Sequence, residues 1–258
     1  MLHYNTYLNN ESDEWVTFIH GAGGSSSIWF KQIRDFQKHF NVLLIDLRGH
    51  GKSKNPIYEK FKKYTFQAIG NEIIEVIDHL NIEKTHFVGI SLGTIIAREL
   101  SERFPEKTAS LILGGAVMKM NLRSRFLMKV AVLVQSIIPY LLLYKLYAFI
   151  IMPKKSHRES RNLFVREARK LYQKEFQRWV TLASEVKPLL RIFRLKESGI
   201  PTLYIMGSQD HMFLPSIKKL VEEHSDSELY VIPDCGHVVN VEQPFQFNQQ
   251  SIAFLKSI

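Results

Sequence analysis

Most of the chain alternates short apolar runs, rich in β-branched and aromatic residues, with longer amphipathic runs. The short runs predict β-strands at 14–20, 41–47, 85–90, 109–115, 200–207 and 228–233. The longer runs predict helices at about 28–38, 65–80, 92–104 and 244–256, with a further helix after Pro215. A strand followed by a crossover helix returns as a parallel strand, so this order predicts an α/β fold. We expect a mostly parallel, twisted sheet flanked by helices, with 3–8 as its only preceding strand.

The alternation stops between residues 118 and 198 and then resumes. We therefore predict one core domain in two parts, 1–117 and 199–258, divided by a helical cap, or lid, at 118–198. A chain of 258 residues that is 45% hydrophobic can bury a substantial core. The single cysteine excludes an intramolecular disulfide framework, and the first ten residues lack a secretory signal pattern, so we expect a cytoplasmic protein.

The insertion opens with an apolar run, 126–153, that is long enough to raise the question of a membrane span. A single crossing would separate two parts of one sheet, and Lys129, Pro139 and Lys145 interrupt the run. The pattern therefore predicts two apolar helices that are broken near Pro139. Three interpretations stay open: helices packed on the core, a lid that lines an apolar pocket, or a surface in contact with lipid.

The positive charge of the chain is concentrated in the insertion. Residues 118–197 contain 18 Lys/Arg and 5 Asp/Glu, whereas the rest of the chain contains 16 and 20. No nucleic-acid-binding motif accompanies this charge, so we expect no nucleic-acid partner. The segment 159–180 mixes basic with apolar residues, which suits peripheral contact with an anionic membrane, although a solvated helix face gives the same pattern.

The stretch GISLGT, Gly89 to Thr94, lies between a predicted strand and a predicted helix. The pattern G-x-S-x-G in that context is typical of a nucleophile elbow, in which small flanking residues allow a strained serine to stand above the sheet edge. A glycine-containing turn can contain this pentapeptide by chance, so the assignment of an elbow depends on the motifs in the rest of the chain. Ser91 is the candidate nucleophile.

An activated serine needs a base and an acid that orients the base. Asp210 comes directly after one predicted strand and His237 after the next, which gives the order Ser91, Asp210, His237 expected for this elbow. Asp234 is a rival acid. It lies three residues before His237 and hence in the same turn, so Asp210 is preferred.

Small residues after the first strong strand, in HGAGGS from His20, would allow backbone N–H groups to approach a developing oxyanion. We predict an oxyanion hole formed by the amides of Ala22 and Leu92. His20 is interpreted as a brace for this loop.

Five ordered motifs together resemble the α/β-hydrolase family over nearly the whole chain. They are HGAGG from His20, DLRGHGKS from Asp46, GISLGT from Gly89, IPTLYIMGSQD from Ile200, and GHVVNVEQPFQFNQQSIAFL from Gly236. The resemblance implies a core sheet that carries the catalytic loops at one edge, with a variable cap inserted where 118–198 lies. It also implies that Asp46, Arg48 and His50 form a structural turn. Thr94 stands where many relatives have a second glycine, and the N-terminal strands are short.

Cofactor motifs do not fit. GKS at 51–53 lacks the glycine that a Walker A loop requires at the position of Asp46, and HGAGGS lacks the third glycine of a dinucleotide fingerprint. No His, Cys or Asp cluster has metal-ligand spacing. We expect neither a cofactor nor a metal.

The sequence therefore predicts a serine hydrolase, esterase-like or lipase-like, with a small-molecule acyl substrate. The apolar cap suggests a carboxylic ester with a hydrophobic acyl or alcohol part, and Met118, Phe126 and Phe213 are the candidate substrate-binding residues. The alternatives are a thioesterase, a carbon–carbon bond hydrolase or lyase with the same triad, and a non-catalytic ligand-binding protein.

Overall fold

The computed structural model describes residues 1–54, 64–120, 122–184 and 186–258, together with the side chains of these residues except 122–124. The described residues form a sheet of seven strands. These are β1 (Tyr4–Tyr7), β2 (Trp15–Ile19), β3 (Asn41–Ile45), β4 (Thr85–Ile90), β5 (Thr108–Gly114), β6 (Thr202–Gly207) and β7 (Ser227–Ile232). Their order is β1-β3-β2-β4-β5-β6-β7, and only β1 runs antiparallel to its neighbour. The predicted α/β class is confirmed.

Helices cover both faces of the sheet. Those of the core are α1 (Phe30–Phe36), α2 (Phe66–His79), α3 (Leu92–Arg103), α9 (Leu214–Glu223), α10 (Val239–Glu242) and α11 (Pro244–Leu255). The buried apolar side chains form two clusters. One cluster includes residues of α2 and α3, and the other includes residues of α1 and α11. All six residues of β4 are buried, as expected for a central parallel strand covered on both faces.

The predicted elements agree closely with the observed ones. Thr65 caps α2, because its hydroxyl accepts a hydrogen bond from the Ala68 amide at 3.1 Å. The predicted helix at 28–38 begins instead as a 3₁₀ turn, Ser26–Trp29, and continues as α1. The short helix α10 was not predicted. Its four residues are too few to show a helical period.

Five α-helices lie between β5 and β6 in the described part of the insertion. They are α4 (Leu122–Val134), α5 (Tyr140–Ile151), α6 (Arg158–Ala168), α7 (Gln173–Ser184) and α8 (Lys187–Leu195). The break between α4 and α5 falls at Pro139, as predicted. None of the described helices is long and apolar enough to cross a membrane. In the basic segment 159–180, the apolar residues Leu171 and Phe176 are buried, so they pack inside the protein and are not a lipid-facing surface.

Hydrogen bonds tie the insertion to the core above the carboxyl ends of the strands. Glu167 of α6 accepts a hydrogen bond from the Ser25 hydroxyl at 2.8 Å. In α7, the Trp179 indole donates one to the Arg48 carbonyl at 3.2 Å. The insertion therefore closes over the sheet edge at which the predicted site residues lie.

Candidate active site

Ser91 occupies the sharp turn between β4 and α3. Its backbone has φ 53° and ψ −117°, a conformation that costs a non-glycine residue free energy and that is found mainly at functional sites. The flanking glycines are required by close packing. A Cβ on Gly93 would lie 2.2 Å from the Ile19 carbonyl oxygen, and one on Gly89 would lie 2.6 Å from the Gly93 carbonyl oxygen. The geometry is that of a nucleophile elbow.

The three predicted triad side chains form one hydrogen-bonded chain. The Nε2 atom of His237 lies 2.9 Å from the Ser91 Oγ atom, and its Nδ1 atom lies 2.7 Å from an Asp210 carboxylate oxygen. The second Asp210 oxygen accepts a hydrogen bond from the Phe213 amide at 3.2 Å. Since the carboxylate accepts the Nδ1 proton, Nε2 is left with a lone pair that faces the serine hydroxyl.

The rival acid points elsewhere. Asp234 is exposed, and its carboxylate accepts a hydrogen bond from the side-chain amide of Gln209 at 3.2 Å. The neighbouring Cys235 is buried, and burial, together with the negative charges of Glu242 and Asp210, raises the pKa of its thiol. That thiol is therefore protonated and poorly suited to act as a nucleophile.

The two predicted oxyanion donors lie beside Ser91 and line the same cavity. Leu92 is the first residue of α3, so its N–H has no intrahelical acceptor and sits at the positive end of the helix dipole. The peptide that carries the Ala22 N–H is held through the Gly21 carbonyl, which accepts the His20 Nδ1 proton at 2.8 Å and the Gly24 N–H at 3.1 Å. The predicted bracing role of His20 agrees with this geometry.

The next peptide of this loop, between Ala22 and Gly23, is held at both of its polar atoms. Tyr144 of α5 donates its hydroxyl proton to the Ala22 carbonyl, and His50 accepts the Gly23 N–H at 2.9 Å. The other His50 nitrogen, Nδ1, donates to the Arg48 carbonyl at 2.9 Å. Burial lowers the pKa of His50 to about 3, so its Nε2 stays an unprotonated acceptor.

The predicted turn around Asp46 has structural contacts. Its carboxylate accepts hydrogen bonds from the amides of Ser26 at 2.7 Å and Lys52 at 2.8 Å. Arg48 forms a buried ion pair with Glu72 at 2.8 Å. Within the described ranges, no three His, Cys, Asp or Glu side chains come together as metal ligands do.

A cavity of about 190 Å³ opens above Ser91 and His237. Its walls are almost entirely apolar and come from both the core and the insertion. They include Leu127, Met128, Tyr147, Ile150, Phe164, Leu171, Phe176, Trp179, Val180 and Phe213.

Of the three predicted substrate-binding residues, only Phe213 lines this cavity, with its ring centre 5.2 Å from that of His237. The predictions for Met118 and Phe126 are wrong. Met118 is fully buried in the core, and Phe126 is 67% exposed. Phe126 faces solvent because successive residues of a helix differ by about 100° in direction, and in α4 the next two residues, Leu127 and Met128, face inward.

The comparisons with known proteins agree with the fold. Residues 14–136 match the family model described as alpha/beta hydrolase fold. The chain is 25% identical to 3-oxoadipate enol-lactonase 2 of Acinetobacter baylyi over 93% of this chain and 88% of that protein. It is 28% identical to the pimeloyl-[acyl-carrier protein] methyl ester esterase of Wigglesworthia glossinidia brevipalpis over 93% of each. A crystal structure of a hydrolase from Pseudomonas aeruginosa superposes with a TM-score of 0.82 at 20% identity, covering 98% of this chain and 93% of that one.

The mostly parallel sheet and the elbow serine at its edge are features of the α/β-hydrolase fold, which this structural neighbour shares. The chain has the alpha/beta hydrolase fold, as the sequence predicts.

Proposed function

We propose that this protein is a serine hydrolase that cleaves carboxylic esters with a hydrophobic acyl or alcohol part through an acyl-enzyme. The observation that carries the proposal is the hydrogen-bonded chain from Ser91 through His237 to Asp210. The Ser91 end of this chain lies in the wall of an apolar cavity, beside the two predicted oxyanion donors.

In the acylation step, the Ser91 Oγ atom attacks the ester carbonyl carbon while His237 Nε2 accepts the serine proton. The carbonyl oxygen becomes an oxyanion between the amides of Ala22 and Leu92, where each donor accounts for about 10²–10³ in turnover. Asp210 stabilises the imidazolium that forms. When the tetrahedral intermediate collapses, His237 gives its proton to the leaving alkoxide, and the alcohol departs.

Deacylation repeats the same steps with a water molecule as the nucleophile. His237 accepts a proton from a water molecule, whose oxygen attacks the acyl carbon of the Ser91 ester. The second tetrahedral intermediate uses the same two amides. Its collapse returns the proton to the Ser91 oxygen and releases the carboxylic acid.

The cavity supports a hydrophobic substrate of modest size. An apolar cavity of about 150 Å³ can hold benzene, and the volume here is about 190 Å³. A compact apolar acyl or alcohol part therefore fits inside this cavity. The names of the two relatives, an enol-lactonase and a methyl ester esterase, both describe cleavage of an ester-type bond.

Hydrolysis of p-nitrophenyl esters from acetyl to palmitoyl tests the proposal, with wild type, Ser91→Ala and the matched control Ser136→Ala side by side. Ser136 is exposed and does not line the cavity, so its variant should behave as wild type. We expect turnover to be highest at medium chain length and to be lost only in Ser91→Ala. Equal turnover in all three proteins would refute the assignment of Ser91 as the nucleophile. Turnover of acyl thioesters without turnover of esters would identify the protein as a thioesterase.

A binding role makes the opposite prediction for the same variant. In that case neither esters nor thioesters are turned over by wild type, and Ser91→Ala keeps every biological activity of the protein.

A further inference from the structure

The outward surface of the two apolar insertion helices carries large hydrophobic side chains in contact with solvent. In α4 and the turn after it, these are Phe126, Val130, Leu133 and Ile137, and Leu133 and Ile137 are 76% and 83% exposed. Their spacing of four, three and four residues places them on one helical stripe. Isolated exposed apolar residues are ordinary, whereas a continuous stripe marks a surface that contacts something apolar.

The same arrangement is present in α5, where Leu142, Leu146 and Phe149 are each more than half exposed. The two helices are neighbours, since the Tyr147 hydroxyl of α5 donates to the Leu127 carbonyl of α4 at 2.7 Å. We call these seven residues of α4, α5 and the turn between them the outer apolar surface. The opposite sides of both helices line the cavity above Ser91, so each helix is apolar on two sides.

A basic cleft borders this surface. It lies between α4 and α8, has a volume of about 630 Å³, and contains five cationic side chains and no acidic one among its described lining residues. The cations are Lys119, Arg125, Lys129, Lys187 and Arg194. Arg125 and Lys129 immediately precede Phe126 and Val130, so positive charge and exposed apolar side chains alternate along α4.

We propose that the outer apolar surface and the basic cleft together dock on an anionic phospholipid leaflet. The apolar side chains would enter the boundary between headgroups and acyl chains, and the cleft would receive lipid phosphates. Apolar residues flanked by cations are the pattern of helices that lie in a membrane interface. The described helices are too short or too polar to span a bilayer, which leaves docking in the interface plane.

Charge complementarity favours lipid over a second copy of this chain. Two copies that cover each other's apolar surface would bring two basic clefts together, with no acidic side chain among the described lining residues to balance them. An anionic leaflet supplies the missing negative charge. If the proposed function also holds, docking would place the cavity next to the phase in which hydrophobic esters dissolve.

Sedimentation with lipid vesicles tests the docking without any need for turnover, so its outcome is separate from that of the proposed function. Vesicles of phosphatidylcholine alone are compared with vesicles that also contain phosphatidylglycerol, at low and at high salt. We expect binding to the anionic vesicles that weakens at least tenfold at high salt, because the charges are exposed and screened.

Two double variants separate the parts of the surface. Leu133→Glu with Ile137→Glu should lower the partition coefficient at least tenfold, and Lys129→Glu with Lys187→Glu should do the same by reversing charge. The matched controls are Phe245→Glu in α11, where the side chain is 74% exposed, and Lys218→Glu with Lys219→Glu in α9. Thermal unfolding checks that every variant is folded.

Four results would overturn the proposal. They are absence of binding to anionic vesicles at low salt, equal binding to neutral vesicles, full binding by either double variant, and an equal loss in the matched controls. Light scattering supplies the remaining test: a wild-type dimer that the Leu133→Glu, Ile137→Glu protein cannot form would mean that a second copy, and not lipid, covers the surface.

Discussion

Replacement of Tyr144 by phenylalanine tests whether the insertion holds the oxyanion loop in place. The Tyr144 hydroxyl donates to the Ala22 carbonyl, while His50 accepts the N–H of the same peptide group at 2.9 Å. Fixing this peptide fixes the direction of the preceding Ala22 N–H, which is the proposed oxyanion donor. The variant removes only one oxygen atom, so the shape of the cavity wall is preserved.

The size of the effect follows from the strength of one neutral hydrogen bond. Such a bond contributes about 0.5–1.5 kcal/mol, and about 1.4 kcal/mol corresponds to a factor of ten in rate. We therefore expect kcat to fall about 2- to 12-fold, well short of the factor of about 10²–10³ for complete loss of a donor. KM should change little, because the oxyanion forms only after the substrate is bound.

The assay compares kcat and KM on a medium-chain p-nitrophenyl ester for wild type, Tyr144→Phe and Tyr147→Phe. Tyr147 is the matched control, since it lines the same cavity but donates its proton to the Leu127 carbonyl, away from the oxyanion loop. Affinity for a trifluoromethyl ketone, which forms a tetrahedral adduct, should fall in step with kcat/KM. An unchanged kcat in Tyr144→Phe, or an equal loss in Tyr147→Phe, would refute the bracing role.

Three further predictions test other parts of the site. Asp210→Asn should lower kcat by about 10⁴ because His237 loses the acceptor that fixes its tautomer, while Asp234→Asn should keep wild-type kinetics; comparable losses in both would contradict the assignment. Gly93→Ala should destabilise the fold by at least about 2 kcal/mol in urea unfolding, because the added Cβ would lie 2.2 Å from a backbone carbonyl oxygen; an unchanged midpoint would be inconsistent with the elbow packing. Burial lowers the pKa of His50 to about 3 in the folded protein, whereas an unperturbed histidine has a pKa of about 6.5. As pH falls below about 6.5, the unfolded chain therefore binds a proton at this residue before the folded protein does, and the free energy of unfolding should drop by about 1 kcal/mol per pH unit. If a His50→Gln protein lost stability with pH at the same rate between pH 6.5 and 5, this explanation would be refuted.

The features that could be predicted from the sequence depend on local patterns. Strand ends are recognisable from composition, and the residues that follow parallel strands meet at one sheet edge, so Ser91, Asp210 and His237 could be selected together. Asp234 could be set aside because it shares a turn with His237, and its side chain indeed points to Gln209.

The features that escaped prediction depend on how distant elements pack. Periodicity identifies α4 and α5 as apolar helices, but it does not say which of two apolar sides faces the core. For that reason the sequence prediction places Phe126 at the pocket, whereas the structure places Leu127 there. The contact of Tyr144 with the oxyanion loop joins residues that are 122 positions apart, and no sequence pattern near either residue predicts it.

The most direct test of the proposed chemistry is the mass of the protein during turnover. Wild type is mixed with a medium-chain p-nitrophenyl ester, quenched in acid, and analysed intact and after digestion. We expect the mass to increase by that of the acyl group, located on the peptide that contains Ser91, and we expect no increase in Ser91→Ala. An acyl group on any other residue, or ester turnover by Ser91→Ala at the wild-type rate, would contradict it.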